Sequence, residues 1–156
     1  MDNLRALLAA SGNFQTLVGA GSAEAAKRSI YRTAVPAPLG IKRPYAVITH
    51  AIEAGFRYDF IAAGAKQHFL NSGDLHMRIV RDTPLAYQAS EADGEMDFLN
   101  VVDEILDDML TMSGDGYMAI MRLEREDGPR HSHPAEEASE GDYYEATYRV
   151  EWGLRG

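Results

Sequence analysis

Cysteine is absent from this chain of 156 residues, and tryptophan occurs once. Without thiols there are no disulfide staples, no thiolate nucleophile and no cysteine-ligated zinc, a composition that suits assembly in a reducing cytoplasm. Basic side chains are scarce as well: 15 Lys and Arg stand against 24 Asp and Glu, for a formal charge of −9. Gripping nucleic acid through its phosphates requires clustered Lys and Arg, so that class is excluded, whereas a surface past which DNA slides is compatible with like charge. Long apolar runs are missing too. Charged residues interrupt the sequence too often for a membrane span, and Met1-Asp2-Asn3 lacks the basic start and apolar core of a signal peptide. No Gly-x-Ser-x-Gly elbow and no P-loop occur, which removes the usual footholds for a hydrolase or a nucleotidase.

A hydrophobic fraction of 46% with 25% charged residues is ordinary for a globular protein and excludes disorder throughout. The length supports one core, so the expected organisation is a single domain over 1–156. Its clearest element is near the C-terminal end, where Tyr144, Ala146, Tyr148, Val150 and Trp152 alternate with Tyr143, Glu145, Thr147, Arg149 and Glu151. Alternation over that length predicts a strand with one face on a core. Second is a helix from about Glu95 to Met112. Phe98, Leu99, Val101, Val102, Ile105, Leu106, Met109 and Leu110 fall on one half of its wheel and Asp97, Asn100, Asp103, Glu104, Asp107 and Asp108 on the other, as for a helix lying on a sheet.

Around these two the chain yields further elements. Leu4, Leu7 and Leu8 behind Asp2 and Asn3 predict a short first helix, and Gly12, Gly19 and Gly21 then break the pattern. Ser22 is placed to cap another short helical turn. Val35-Pro36-Ala37-Pro38 is irregular and leads into a strand over Arg43–His50, whose Pro44 sits at its start. A weak signal from Ala54 to Ser72 reads as a hairpin excursion, Ser72-Gly73-Asp74 as a turn, and Leu75–Arg81 as a half-buried strand. Ser113-Gly114-Asp115-Gly116 ends the long helix. Tyr117–Glu126 is the next strand, with Met118 and Ile120 on one side and Met121 and Leu123 close to the other. Asp127–Gly141, made of Pro, His, Ser, Glu and Gly, is expected to be a mobile loop joining the last two strands as an antiparallel hairpin.

Three groups of residues invite chemistry. His131-Ser132-His133, amid Glu136, Glu137, Glu140 and Asp142, offers divalent-metal ligand types but no rigid frame to fix a geometry, so no metal site is assigned. Leu17-Val18-Gly19-Ala20-Gly21-Ser22-Ala23-Glu24 is a partial dinucleotide fingerprint. Its third glycine position carries Glu24, whose charge opposes a pyrophosphate, so a plain turn between helices is the reading. The carboxylates Asp97, Asp103, Glu104, Asp107 and Asp108 lie on the solvent side of an amphipathic helix rather than in a pocket that splits their pKa values. They are a solvated face, with a partner-binding or lumen-facing surface as the functional alternative, and not a catalytic pair. No catalytic residue and no cofactor is assigned.

The succession of short N-terminal helices, the Arg43-Pro44-Tyr45 lead-in, the acidic helix Asp97–Met112 and the Tyr148-Arg149-Val150-Glu151-Trp152-Gly153 ending resembles the tail terminator (tail completion, minor tail) proteins of long-tailed bacteriophages. That resemblance implies an α+β subunit in which helices cover one face of a mostly antiparallel sheet. It implies a virion protein without enzymatic activity, assembled in the host cytoplasm as a homohexameric ring at the neck end of the tail. Its implied partners are the tail tube protein, the head connector or neck protein and, as an open further case, the sheath protein, with DNA passing the lumen without specific binding. The acidic face then becomes a partner or lumen surface, and Arg130, His131 and His133 belong to a loop reaching a neighbouring subunit. A neck or head-closure adaptor is the alternative within the same context, and a small ligand-binding or enzymatic α+β domain is the alternative outside it.

Overall fold

A computed structural model of the chain describes residues 2–32, 43–50, 57–61, 68–82, 91–113, 119–132 and 143–154. In chain order these form helices α1 (Asp2–Ala10), α2 (Gly12–Val18) and α3 (Ala23–Ala26), a 3₁₀ turn (Lys27–Ser29), and strands β1 (Ile30–Tyr31), β2 (Tyr45–His50), β3 (Arg57–Ile61) and β4 (His68–Asp82). Helix α4 (Glu91–Met112) and strands β5 (Ala119–Ser132) and β6 (Tyr143–Leu154) complete them. The class is α+β. Strand order is β1-β2-β4-β6-β5, with β3 pairing to β4 beyond the end of β2. Only β1 and β2 run parallel; the other four pairings are antiparallel.

Register explains which face is covered. Ile30, Ala46, Ile79 and Ala146 stand opposite one another across four strands, and Ile48, Met77 and Tyr148 form the next row. All are buried, together with Leu75, Tyr144 and Val150, in one cluster with Leu4, Leu8 and Phe14 of the N-terminal helices and Phe98, Val102, Ile105 and Met109 of α4. Those four α4 residues recur at three- and four-residue intervals, which keeps them on one stripe of a helix turning about 100° per residue. Helices therefore cover a single face of the sheet. On the opposite face Val47 and Val80 are buried, flanked in register by Tyr31, Arg78, Tyr45 and Glu145, and the Arg78 guanidinium donates to the Tyr45 hydroxyl at 3.2 Å.

Four features differ from the sequence reading, each for a local reason. Gly12 opens α2 instead of breaking helix: Ser11 is its N-cap, its hydroxyl accepting from the Phe14 amide, and Gly19 ends it in the left-handed region at φ 66°. Ser72-Gly73-Asp74 does not turn the chain. It lies inside the 15-residue β4, where β6 pairs with all three residues and β3 with Ser72. Ile120 and Leu123 both pack on the core, because a register shift between Ile120 and Arg122 inserts an extra residue and returns Leu123 to the helix side. Strand β5 also runs on through 127–132, inside the segment expected to be a loop. The ladder steps from Asp127↔Thr147 to Arg130↔Glu145, accommodating Gly128 at φ 92° and Pro129, which has no N–H to donate. Residues 133–141 of that expected loop lie outside the described residues. The hairpin of β5 and β6 and the excursion formed by β3 and β4 match the sequence reading.

Ile105 is fully buried at the centre of the α4 stripe. Ile105→Asp, which buries an unpaired carboxylate, is expected to abolish soluble expression, while Ile105→Ala should cost about 2–5 kcal/mol in a urea melt. A folded Asp variant with an unchanged melting temperature would contradict this packing.

Candidate functional site

Helix α4 carries eight acidic and no basic side chains. Its apolar stripe takes the sheet side, so the carboxylates are forced onto the remaining surface. Asp103, Glu104 and Asp107 are exposed there, as expected of a solvated face. Asp97 and Asp108 are not simply solvated. At the first half of α4, Asp97 accepts from Arg81 Nη2 at 2.5 Å, and the same guanidinium lies 5.5 Å from the ring centroid of Phe98, which stacks on Tyr144 at 5.8 Å. A β4 arginine thus clamps helix to sheet through a charge and two rings.

Near the end of α4, Asp108 Oδ2 accepts from Ser11 Oγ at 2.7 Å, from Asn13 Nδ2 at 3.1 Å and from the Asn13 amide at 3.3 Å. Ser11 is fully buried and its hydroxyl also caps α2 by accepting from Phe14 N at 3.1 Å, so one side chain joins the two helices. The Ser11 hydrogen bond, helped by those from Asn13, holds the Asp108 carboxyl below the usual carboxylate range against the opposing effect of desolvation. Ser11 and Asn13 were not singled out in the sequence. The only local signal is a Ser three residues before Phe14, and nothing there points 95 residues ahead.

Among the described residues, the face of the sheet opposite the helices is charged. His76 Nε2 meets Glu126 Oε2 at 3.2 Å, Arg122 Nη2 meets Glu124 Oε2 at 3.2 Å, and Arg78 Nε lies 3.7 Å from Glu145 Oε2. Arg43 pairs with Asp82 at 2.5 Å and lies 4.7 Å over the ring of Tyr143. A shallow depression on this face is lined by Arg122, Glu124, Arg149 and Glu151. Opposite charges placed this closely satisfy one another, which makes a hydrogen-bonding surface and not a charged pocket. In sequence these residues are only the polar half of two alternating strands.

Arg130 and His131 lie on β5, opposite Glu145 and Tyr144, and not in a loop; His133 lies outside the described residues. Among the described residues no group of three or more His, Asp or Glu is placed to hold a metal ion. Gly19 to Ser22 is the turn between helices that the sequence suggests, with the Ser22 hydroxyl capping α3 by accepting from Ala25 N at 3.2 Å. Among the described residues no helix is long and apolar enough to cross a membrane.

Ser11→Ala removes a cap and the principal partner of Asp108, and should cost about 1–2 kcal/mol at pH 7. The lowered Asp108 pKa stabilises the fold fully above the unfolded carboxyl value, and this contribution is lost as pH falls through the lower folded value. The stability gap between wild type and Asp108→Asn should therefore narrow between neutral pH and about pH 3. A gap of constant size in urea melts across that range would remove the role given to this carboxylate.

No protein-family model matches the chain, and no curated protein matches it. Among solved structures it is similar to a chain of the "Virion of native gene transfer agent (GTA) particle", at 14% sequence identity and a TM-score of 0.36 over 96% of this chain and 87% of that one.

Proposed function

We propose that this protein is a structural virion component, a ring of six copies that caps the tail tube of a long-tailed phage and joins it to the head connector. The observation that carries the reading is the one-sided architecture. Helices occupy one face of a mostly antiparallel sheet, as the tail-terminator resemblance implies, and the closing strand β6 lies inside that sheet between β4 and β5. The face opposite the helices, with its closely spaced ionisable pairs, suits broad, reversible contact with a protein surface better than it suits chemistry on a small molecule. Among the described residues β5 is the outer strand of the sheet, and Arg130 and His131 on it stand where a neighbouring subunit would be met.

The action is binding alone. A ring seated on the growing end of the tube hides the surface that the next tube subunit would use, so elongation stops, while the ring's other side is offered to the head connector or neck protein. Exposed carboxylates of α4 serve as a partner surface or face the lumen, where like charge lets DNA pass without adhering. Assembly takes place in the host cytoplasm, and the mature location is the neck end of the tail.

Loss of the gene should leave tubes of irregular and excessive length that fail to join heads, seen by negative-stain microscopy of lysates, while tube assembly continues. Tails of normal length joined to heads would sink the reading. Purified protein that binds the head portal but not tube ends would indicate a head-closure adaptor instead.

A further inference from the structure

Helix α4 carries a second stripe beside the one it buries. Met96, Leu99, Asp103, Leu106 and Leu110 recur at intervals of three and four, about 110° round the helix from Phe98, Val102, Ile105 and Met109. Spacing of this kind is that of a helix–helix seam. The flank looks toward β5, since Asp97 and Asp108 on the other flank reach β4 and α2. Leu106 is buried and Leu99 half-buried, but Met96 is 58% exposed and Leu110 46%, the two large apolar side chains left in water among the described residues. The other helices precede β1 and pack from the Asp108 side, so among the described residues no helix faces this flank.

Strand β5 forms the other wall. Ile120 and Leu123 on its helix side are only partly buried. The register sets Arg125 opposite Tyr148, so its side chain also rises on the helix side, where it is exposed, while Arg122, Glu124 and Glu126 are paired on the opposite face. Burial raises the pKa of the Tyr148 phenol, Asp103 raises it further and Arg125 lowers it, so both charges stand over the same point of β6. Asp107 lies on the crest of α4 and Glu95 nearer the sheet at its N-terminal end, outside this central pair. The seam therefore holds one acid and one base at its middle, on facing walls, and exposed apolar side chains at both ends.

We propose that this flank pairs with the same flank of a second copy about a two-fold axis at Asp103, with the two α4 helices antiparallel. Met96 and Leu110 each lie seven residues from Asp103, so the axis lays Met96 of one copy on Leu110 of the other at both ends of the seam. At the centre Asp103 and Arg125 of each copy meet Arg125 and Asp103 of the other, four charges of alternating sign with no net charge. A surface with an acid and a base on facing walls is complementary to itself, which a purely acidic or purely basic patch is not. A single polar position inside an apolar seam also fixes its register. The contact closes at two copies and goes beyond the capping role, because it uses neither the β1 edge nor the sheet face opposite the helices.

The test is sedimentation velocity on the full chain, with circular dichroism and melting temperature to confirm folding. Wild type should pair, to an extent that rises with concentration. Asp103→Arg and Arg125→Asp should each weaken pairing roughly tenfold or more with folding intact. Mixed one to one, these two variants should pair again, since one copy then brings two bases and the other two acids; both changes in one chain should restore self-pairing. The geometry is read separately in a chain that has no cysteine of its own. Met96→Cys mixed with Leu110→Cys should give an oxidised, cross-linked pair, and Glu104→Cys, away from the seam, should not. A wild type that does not pair, single reversals that pair as wild type does, a mixture that stays apart, or equal cross-linking through Glu104→Cys would overturn the proposal.

Discussion

The structure depends on one contact, the seating of the apolar stripe of α4 on the apolar row of β6. Tyr144, Ala146, Tyr148 and Val150 point to one side of a strand held between β4 and β5, so the cover has to come from that side. Phe98, Val102, Ile105 and Met109 supply it, and Arg81 closes one end by binding Asp97 while its guanidinium lies over Phe98. With the core committed to one face, the other can hold charges. Exposed ion pairs of that kind contribute only about 0–1 kcal/mol each, so their removal or exchange costs the fold little. Selection is then free to fit that face to another protein.

The same contact sets the electrostatics. An amphipathic helix with eight carboxylates and no base carries like charges at Asp103 and Asp107, one turn apart, and at Asp107 and Asp108 near its C-terminal end, where the helix dipole disfavours them. Each such placement costs a few tenths of a kcal/mol or more, and tertiary packing carries the helix despite them. Asp108 is relieved by three hydrogen bonds and Asp97 by Arg81. Asp103 and Asp107 have no comparable hydrogen bond among the described residues; Asp107 lies on the crest of the helix, opposite its buried stripe, where water solvates it.

Long periodic elements were legible in the sequence, and interrupted ones were not. The stripe of α4 and the alternation of β6 each repeat often enough to outweigh any single residue, and together they define the class and the hairpin. Glycine and proline misled where tertiary partners override local preference. Gly12 is tolerated at the first position of α2 because Ser11 caps it; Gly73 lies in a strand because the long ladder with β6 pairs it with Trp152; Gly128-Pro129 lies in a strand because β5 is an outer strand and can bulge. Strand β1, two residues after a helical stretch, has no period to read. For the site, the acidic row was visible, but not which of its members are spent internally. Ser11 and Asp108 lie 97 residues apart, and only the packed layers bring them together.

Under the proposed capping role the protein must not itself polymerise without limit, and the outer strand β5 suits that requirement. Among the described residues β5 is an outer strand, the usual template for uncontrolled strand addition, yet its ladder with β6 shifts register between Ile120 and Arg122, Arg125 and Asp127, and Asp127 and Arg130. Bulges twist and interrupt an edge, so a regular incoming strand finds few consecutive partners. What remains for specific contact is side chains. A contact between unlike ends cannot be satisfied in a two-fold dimer; it either closes on itself or grows. Closure is what the proposed cap requires, since every subunit of such a ring would have both ends occupied and only the ring's faces would be left to meet a tube and a connector.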